Sequence, residues 1–450
     1  MSTLKAGPMS ASELARRFEV NPTTITRRLN TMSSEVVRAG AGRAIRWYLP
    51  RTLPLLDNVS MLPIYRVNSD GDAEKIAHLH VVYPYDSYLV EYFRVANHMA
   101  EPTTEWDFYE SLPWWLTDMR PQGFLGRSFA YQLRSAGELV DANPAAWSED
   151  TILAILAKYP QDHVGNLLVG NEAYERWLRT TRSPLCSDAE AGEKAEAIAR
   201  GEHFDSSAQG EQPKFTARLA EGECIIKFSG RVAQVEVDSV ANRWADLLHA
   251  EWLAATTLNQ ALPSIAAANR SFTANQRTLL ASQRFDRTAQ GGRVGVISFA
   301  SLDAEFVGKA NEPWPVIADA LHQEKVLTEM AVTRCKVAWA FGQLIANSDM
   351  HLGNISAVNM GGRPFELAPI YDMLPMHYSP KSSGDLPVEP YQIRISSAIS
   401  RLYWEVAYPA AMDFWQRVLE HPNISKHFKQ MAEQQLHVVR EFESIINRMA

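Results

Sequence analysis

The sequence predicts an α+β chain that opens with a small winged helix-turn-helix and continues into a larger body of strands and helices. Three observations predict it. Two helix-start signals lie close together near the N-terminus; short apolar strands at 223–230 and 281–287 carry isolated charged residues; and a long apolar helical run fills 324–346. With 450 residues the chain is too long for one ordinary core, so two or three domains are expected, and 46% hydrophobic residues make them globular.

In "MSASELARRFEVNPTTITRRLNTM", Ser10 followed by Glu13 has the capping-box spacing, and Asn21–Pro22 supplies an N-cap and a favoured first helical residue. Leu14, Ala15 and Phe18 form one apolar stripe; Ile25 and Leu29 form the next. Two short helices around the "EVN" turn make a helix-turn-helix. "VVRAGAGRAIRWYLPR" then reads as strand, Gly-containing turn, strand, the pattern of a wing. The second helix offers Thr23, Thr24, Thr26, Arg27 and Arg28 to phosphates and base edges, with Arg38, Arg43 and Arg46 on the hairpin. Residues 1–51 hold nine Lys/Arg against three Asp/Glu, a local charge of +6 on a chain whose total is −8. A basic module on an acidic body points to a local anionic partner, so residues 1–51 are assigned to DNA binding.

Residues 52–200 form the next unit, with strand-like runs "MLPIYRV" and "AHLHVVYPY". Alternation puts His78 and His80 on one strand face; with no third ligand nearby in the sequence, a solvated face is their expected role. The aromatic-rich stretch 106–130 is expected to build core, and 188–202 to form an exposed helix ending at Gly201. Three scattered cysteines support neither a disulfide framework nor a thiolate zinc site, and no leader-like or spanning apolar run is present, so a cytoplasmic protein is expected.

Beyond residue 200 four pieces follow in order. "DSSAQGEQPKF" is small and polar, and Gly210 lets its backbone N–H groups approach an anion, although the spacing of the common nucleotide-binding loops is missing. "ECIIKFSG" is a strand around Lys227. In the helix 324–346, Met330, Val337, Phe341, Leu344 and Ile345 recur at helical spacing and anchor the following "NSDMHLGN"; "FELAPIYDMLP" reads as a strand ending on Asp372. Phosphoryl transfer needs a cation for the nucleotide phosphates, a carboxylate at the attacking hydroxyl and oxygen ligands for magnesium. Lys227, Asp349, Asn354 and Asp372 offer these once each, and the Asp349-to-Asn354 spacing is that of the kinase catalytic loop.

"CIIKF", "QRFDR", "NSDMHLGN" and "LAPIYDMLP" closely resemble the HipA-like serine/threonine kinases of bacterial toxin systems, over roughly residues 160–450. With the helix-turn-helix, "SSAQGEQPKF" and "YDMLPM", the chain resembles the single-chain YjjJ (HipH) branch, in which a DNA-binding module is fused to the kinase. The resemblance implies a HipA-like kinase fold, with an ATP-binding N-lobe and hinge over 201–287 and a mainly helical C-lobe over 288–450. It implies Asp349 as catalytic base, Asn354 and Asp372 as Mg2+ ligands and Lys227 at the ATP phosphates. The backbone of Gln283 to Phe285 falls at the family's adenine-binding hinge, where relatives often carry Glu instead of Gln283. The "SSAQGEQPK" loop matches a phosphate-cradling loop, giving Ser207 and Gly210 contact with nucleotide; Ser206 or Ser207 matches an autophosphorylated serine whose modification silences the kinase. The implied partners are operator DNA and a protein substrate, an aminoacyl-tRNA synthetase in better-known members, and the sequence does not itself require a separate antitoxin. The rival reading is a transcriptional regulator whose large domain is a degenerate, catalytically inactive kinase.

Overall fold

The computed structural model of the chain describes residues 2–93, 105–159, 162–180, 183–200, 212–232 and 238–449. At the N-terminus, Ser10 caps α1 (Ala11–Phe18) and Glu13 returns the bond to the Ser10 N–H, completing the capping box. Asn21 caps α2 (Pro22–Thr31), and β1 (Val37–Ala39) pairs antiparallel with β2 (Arg46–Tyr48). Leu14, Leu29, Val36 and Trp47 close a small core. Phe18, expected in the apolar stripe, is instead 53% exposed. It is the last residue of α1, where Glu19 turns the chain in a left-handed conformation, beyond the reach of that core.

The next segment is a sheet of β3 (Met61–Val67), β4 (Ala73–Val82), β5 (Ser87–Tyr92), β6 (Trp106–Tyr109) and β7 (Leu167–Val169), in the order β6-β5-β4-β3-β7, all antiparallel. Helices α3 (Trp114–Thr117), α4 (Gly123–Ser135), α5 (Glu149–Lys158) and α6 (Gly170–Arg179) accompany it. Leu79, Val81, Tyr88 and Val90 join the main core with Trp114, Trp115 and Phe129, as expected of the aromatic stretch. Val82 and Leu89 instead meet Ala39 and Tyr48, so the N-terminal hairpin is seated on the sheet. Arg51 fastens the junction, donating to the Val82 carbonyl at 2.7 Å and pairing with buried Asp150.

Helix α7 (Asp188–Ala199) leads into β8 (Lys214–Leu219), β9 (Gly222–Phe228), α8 (Val240–Ala261), β10 (Asn269–Ala274) and β11 (Arg277–Gln283), whose antiparallel sheet runs β10-β11-β9-β8. The expected exposed helix at 188–202 is only half exposed: Ala191 and Ala195 are buried against this sheet. Gly192 sits so close to Ala274 that a Cβ would lie 2.6 Å from the Ala274 Cβ. Its expected end at Gly201 lies outside the described residues.

The remaining elements are β12 (Gly295–Ser298), α9 (Phe299–Phe306), α10 (Trp314–Gln323), α11 (Glu329–Leu344), β13 (Ser356–Asn359), β14 (Glu366–Leu367), α12 (Arg401–Glu420) and α13 (Lys426–Ile446). The helix expected over 324–346 starts later, where the Thr328 hydroxyl caps the Ala331 N–H at 3.1 Å. Val337, Phe341, Leu344 and Ile345 are buried as expected, but Met330 is 59% exposed because it lies in the first turn on the outer side. The strand expected over 365–375 shrinks to β14. Ala368 still bonds to Ser356 O of β13 at 2.8 Å, but Pro369 has no N–H to carry the ladder on, and the Ile370 N–H turns to Ile265 O at 2.8 Å. Asp372 then adopts a left-handed backbone conformation, φ 52°.

Candidate active site

Lys227 stands near the end of β9, and its pattern of apolar neighbours drives the strand into the sheet interior. A lone strand lysine is usually solvated; this one is 6% exposed. Its Nζ donates to both carboxylate oxygens of Glu251, at 2.6 and 2.8 Å, and to Asp372 Oδ1. Glu251 projects from the middle of α8 and is 2% exposed; Asp372 keeps 31% of its side chain open. Burial alone would lower the Lys227 ammonium, but the carboxylates of Asp372 and Glu251 outweigh it and hold it above the ordinary lysine range. Burial likewise pushes the Glu251 carboxyl up. At Asp372 burial is overcome, chiefly by Lys227 and then by Lys214, and the carboxyl stays below its usual range.

Lys214 opposes Lys227 in the β8–β9 register, so both lysines sit on the same sheet face. The sequence reading missed both Lys214 and Glu251.

The loop after α11 brings up the second half of the site. Gly342 makes this possible: a Cβ there would lie 2.3 Å from Met350 Sδ, so a side chain would push the loop off the helix. Asn347, unassigned from sequence, is 2% exposed and works as a clamp. Its Oδ1 accepts from the Asp349 N–H at 3.1 Å, and its amide nitrogen donates to the Asp372 carbonyl at 3.4 Å, tying the two acidic segments together. Asp349 itself is exposed. Asn354 donates through its side-chain nitrogen to the Asp349 carbonyl at 2.9 Å and to Asp349 Oδ2 at 3.4 Å. An amide held through its nitrogen presents its oxygen as an acceptor. Asn354 and Asp372 thus offer hard oxygen donors, which suit Mg2+ and not a soft metal. His351 shapes the turn, accepting from the Gly353 N–H at 3.0 Å.

At the end of β11, the Gln283 N–H is bound to Ala268 O at 2.9 Å and the Arg284 N–H to Glu223 O at 2.8 Å. Those two amides of the expected hinge are committed inside the fold. The Phe285 ring stacks on Tyr371, centroids 5.9 Å apart, directly before Asp372. The "QRFDR" charges serve another purpose. Arg284 and Arg287 converge on Asp286 at 2.9 Å each and on Asp162 of the preceding segment, and Asp286 also accepts from the Gly165 N–H at 2.9 Å. This network pins the hinge to the five-stranded-sheet segment.

A cleft of about 640 Å³ opens beside the 347–354 loop, lined by residues that include Thr216, Gly353, Ser356 and Tyr371 together with Trp114 and Gln122. The expected phosphate-loop residues Ser206, Ser207 and Gly210 lie outside the described residues. On α2, Thr23, Thr24, Arg27 and Arg28 are exposed, whereas Thr26 is half-buried and its hydroxyl donates to the Pro22 carbonyl at 3.0 Å. Arg38 and Arg43 are exposed too; Arg46 is held by the Pro8 carbonyl at 3.1 Å and faces Glu13 at 3.5 Å. Among the described residues no helix is long and apolar enough to cross a membrane.

Comparison with known proteins places these features in context. Residues 58–178 match the model of the YjjJ-like toxin middle domain, and residues 206–450 match that of the HipA-like C-terminal domain. The chain is 34% identical to Toxin YjjJ of Escherichia coli (strain K12) over 455 aligned positions, covering 99% of this chain and 98% of that protein. Among solved structures, the Shewanella oneidensis MR-1 toxin–antitoxin complex of HipA, HipB and operator DNA aligns with a TM-score of 0.51 at 14% identity, over 85% of this chain and 98% of the other. That likeness is one of fold.

Proposed function

We propose that this chain, which belongs to the YjjJ-like branch of the HipA-like toxin family, transfers the γ-phosphate of ATP to serine or threonine hydroxyls. The observation that carries the reading is the buried Lys227–Glu251–Asp372 cluster, joined through Asn347 to the loop that carries Asp349 and Asn354. Two lysines, Lys227 and Lys214, stand against the two carboxylates Glu251 and Asp372, and Asp372 keeps 31% of its side chain open for a further cation. Asn354 and Asp372 would hold Mg2+, which supplies charge neutralisation at the phosphates when bound.

The chain's own groups do the rest. Glu251 fixes the Lys227 ammonium, which is released from Asp372 to contact the nucleotide phosphates. Asn347 and Asn354 hold Asp349 where it can orient a substrate hydroxyl and accept its proton. Phe285 and Tyr371 offer an aromatic wall for the base, and the adjoining cleft is of the size usual for small-molecule sites.

Residues 1–51 we assign to DNA binding as a winged helix-turn-helix. The support is the capped helix pair, the antiparallel hairpin and the exposed Thr23, Thr24, Arg27 and Arg28 on α2. Operator DNA and an antitoxin are present with the Shewanella HipA relative, which makes both partners to test here.

Purified protein with labelled ATP and Mg2+ is expected to label itself, on Ser206 or Ser207. Asp349→Ala is expected to lower that rate by about 10^2- to 10^4-fold, the usual worth of a positioned base. Tight ATP binding with no labelling of wild type or of added protein would favour the inactive regulator instead. In the same preparation, Arg27→Ala combined with Arg28→Ala is expected to weaken operator binding and lower its salt slope by about 2, one per phosphate contact, with labelling intact. Unchanged DNA retention would remove α2 as the reading helix.

A further inference from the structure

His78 and His80 share one face of β4, and in the β4–β5 register Glu91 stands directly opposite His78. Cross-strand partners point to the same side of a sheet, so the third ligand that the sequence lacked is supplied by pairing. His78 Nδ1 lies 3.3 Å and His80 Nε2 4.0 Å from Glu91 Oε2, and one ligand atom from each residue falls within 4.8 Å of the others. Tetrahedral ligands at about 2.0–2.1 Å from a zinc ion sit roughly 3.4 Å apart, so small side-chain rotations close the set.

Two further features separate this trio from an ordinary His–Glu ion pair. The Nε2 atom of His80 is removed from solvent and has no hydrogen-bond partner among the described residues, a costly state for a polar atom that metal ligation would relieve. Aromatic walls also flank the trio: the Phe93 ring meets His78 edge-on at 4.7 Å, and Trp106 lies 5.8 Å from His80.

We propose that His78, His80 and Glu91 form a three-ligand site for a divalent transition-metal ion of the Zn2+ type. Two imidazoles and one carboxylate suit that class and not Mg2+. The site lies on the sheet face that seats the N-terminal hairpin, where Val82 and Leu89 meet Ala39 and Tyr48. The bound ion cross-links β4 to β5 at that seat. This proposal is independent of the kinase reading.

The full-length protein, stripped of metal and kept in excess Mg2+ to fill the catalytic site, is titrated with Co2+ as a spectroscopic probe. One equivalent is expected to bind with the intense visible bands of four-coordinate Co2+ and to be displaced by Zn2+. Glu91→Gln and His80→Ala are each expected to weaken binding by at least about 10-fold, since even outer-shell changes cost that much. Glu91→Gln is nearly isosteric and half-exposed, so it serves if His80→Ala does not fold. Co2+ affinity unchanged in these variants, absent from wild type, or lost in Asp372→Ala instead would overturn the site.

Discussion

Two clusters of charged side chains lie near the ends of neighbouring strands, one at the end of β9 and one just after β11, and they are built in opposite ways. Lys227, Glu251 and Asp372 set one cation against two carboxylates. Arg284, Arg287 and Arg293 set three guanidiniums against Asp162 and Asp286. In the second cluster the planar forks satisfy one another's partners, and its excess positive charge falls on Arg293, pushed down to about 9 by burial first and by Arg287 next. His163 is buried there too, pushed down to about 4 for the same leading reason, and so stays neutral. The first cluster is joined through Asn347 to the loop that carries Asp349 and Asn354, whereas the second is joined to the backbone before β7 at Gly165. Burial and ion pairing alone do not mark a candidate site; convergence with further chemically apt groups does.

The largest expected effect that would break this distinction is on stability. Asp286→Ala leaves Arg284 and Arg287 with only the half-exposed Asp162 as a shared partner, and removing one partner of a buried pair costs about 3–5 kcal/mol. Chemical denaturation should show a loss of that size, with residual kinase activity scaling with the folded fraction. A stable Asp286→Ala protein with a dead active site would mean that the hinge network is catalytic machinery after all.

Glu251→Gln is expected to reverse that pattern. The amide keeps the volume and one hydrogen bond to Lys227, so the fold persists while the lysine loses its fixed orientation. The transfer rate should fall by about 10^2-fold, with a midpoint of unfolding near that of wild type. Single-turnover labelling alongside thermal unfolding separates the two quantities. Equal losses in both would make Glu251 merely structural.

How far each cluster was legible from sequence follows from the same geometry. Lys227, Asp349, Asn354 and Asp372 lie at the ends of elements or in the loops they feed, where local spacing reports them. Glu251 sits mid-helix in "LLHAEWLAA", and only the packing of α8 against β9 makes it a partner of Lys227. Asn347 has no assignment from sequence, because its partner, the Asp372 carbonyl, comes from 25 residues further along the chain. His78 and His80 were read as a solvated pair because Glu91 joins them only through strand register. The capped helices at the N-terminus were legible almost to the residue, since capping is local chemistry. The strand expected at 365–375 failed because Pro369 denied it a ladder. What spacing along the chain encodes was readable; what pairing across it creates was not.

The smallest effect is also the sharpest test of the contrast, because one carboxylate from each cluster, Glu251 and Asp286, is shifted in the opposite direction to the other. Burial pushes Asp286 up, but Arg284 and then Arg287 overcome it and hold it below its usual range. Its contribution to stability is therefore complete above the unfolded-chain value near 4 and is lost only as pH falls through the lower folded value. Glu251 is raised by burial, so on acidification it protonates before an ordinary glutamate would and releases its hold on Lys227. Kinase activity should then fade reversibly at a pH where near-ultraviolet circular dichroism still reports a native fold. In Glu251→Gln that acid limb should shift or vanish, while the pH of acid unfolding stays where Asp286 sets it. Activity and fold lost together, at the same pH in both proteins, would show that the two clusters titrate as one.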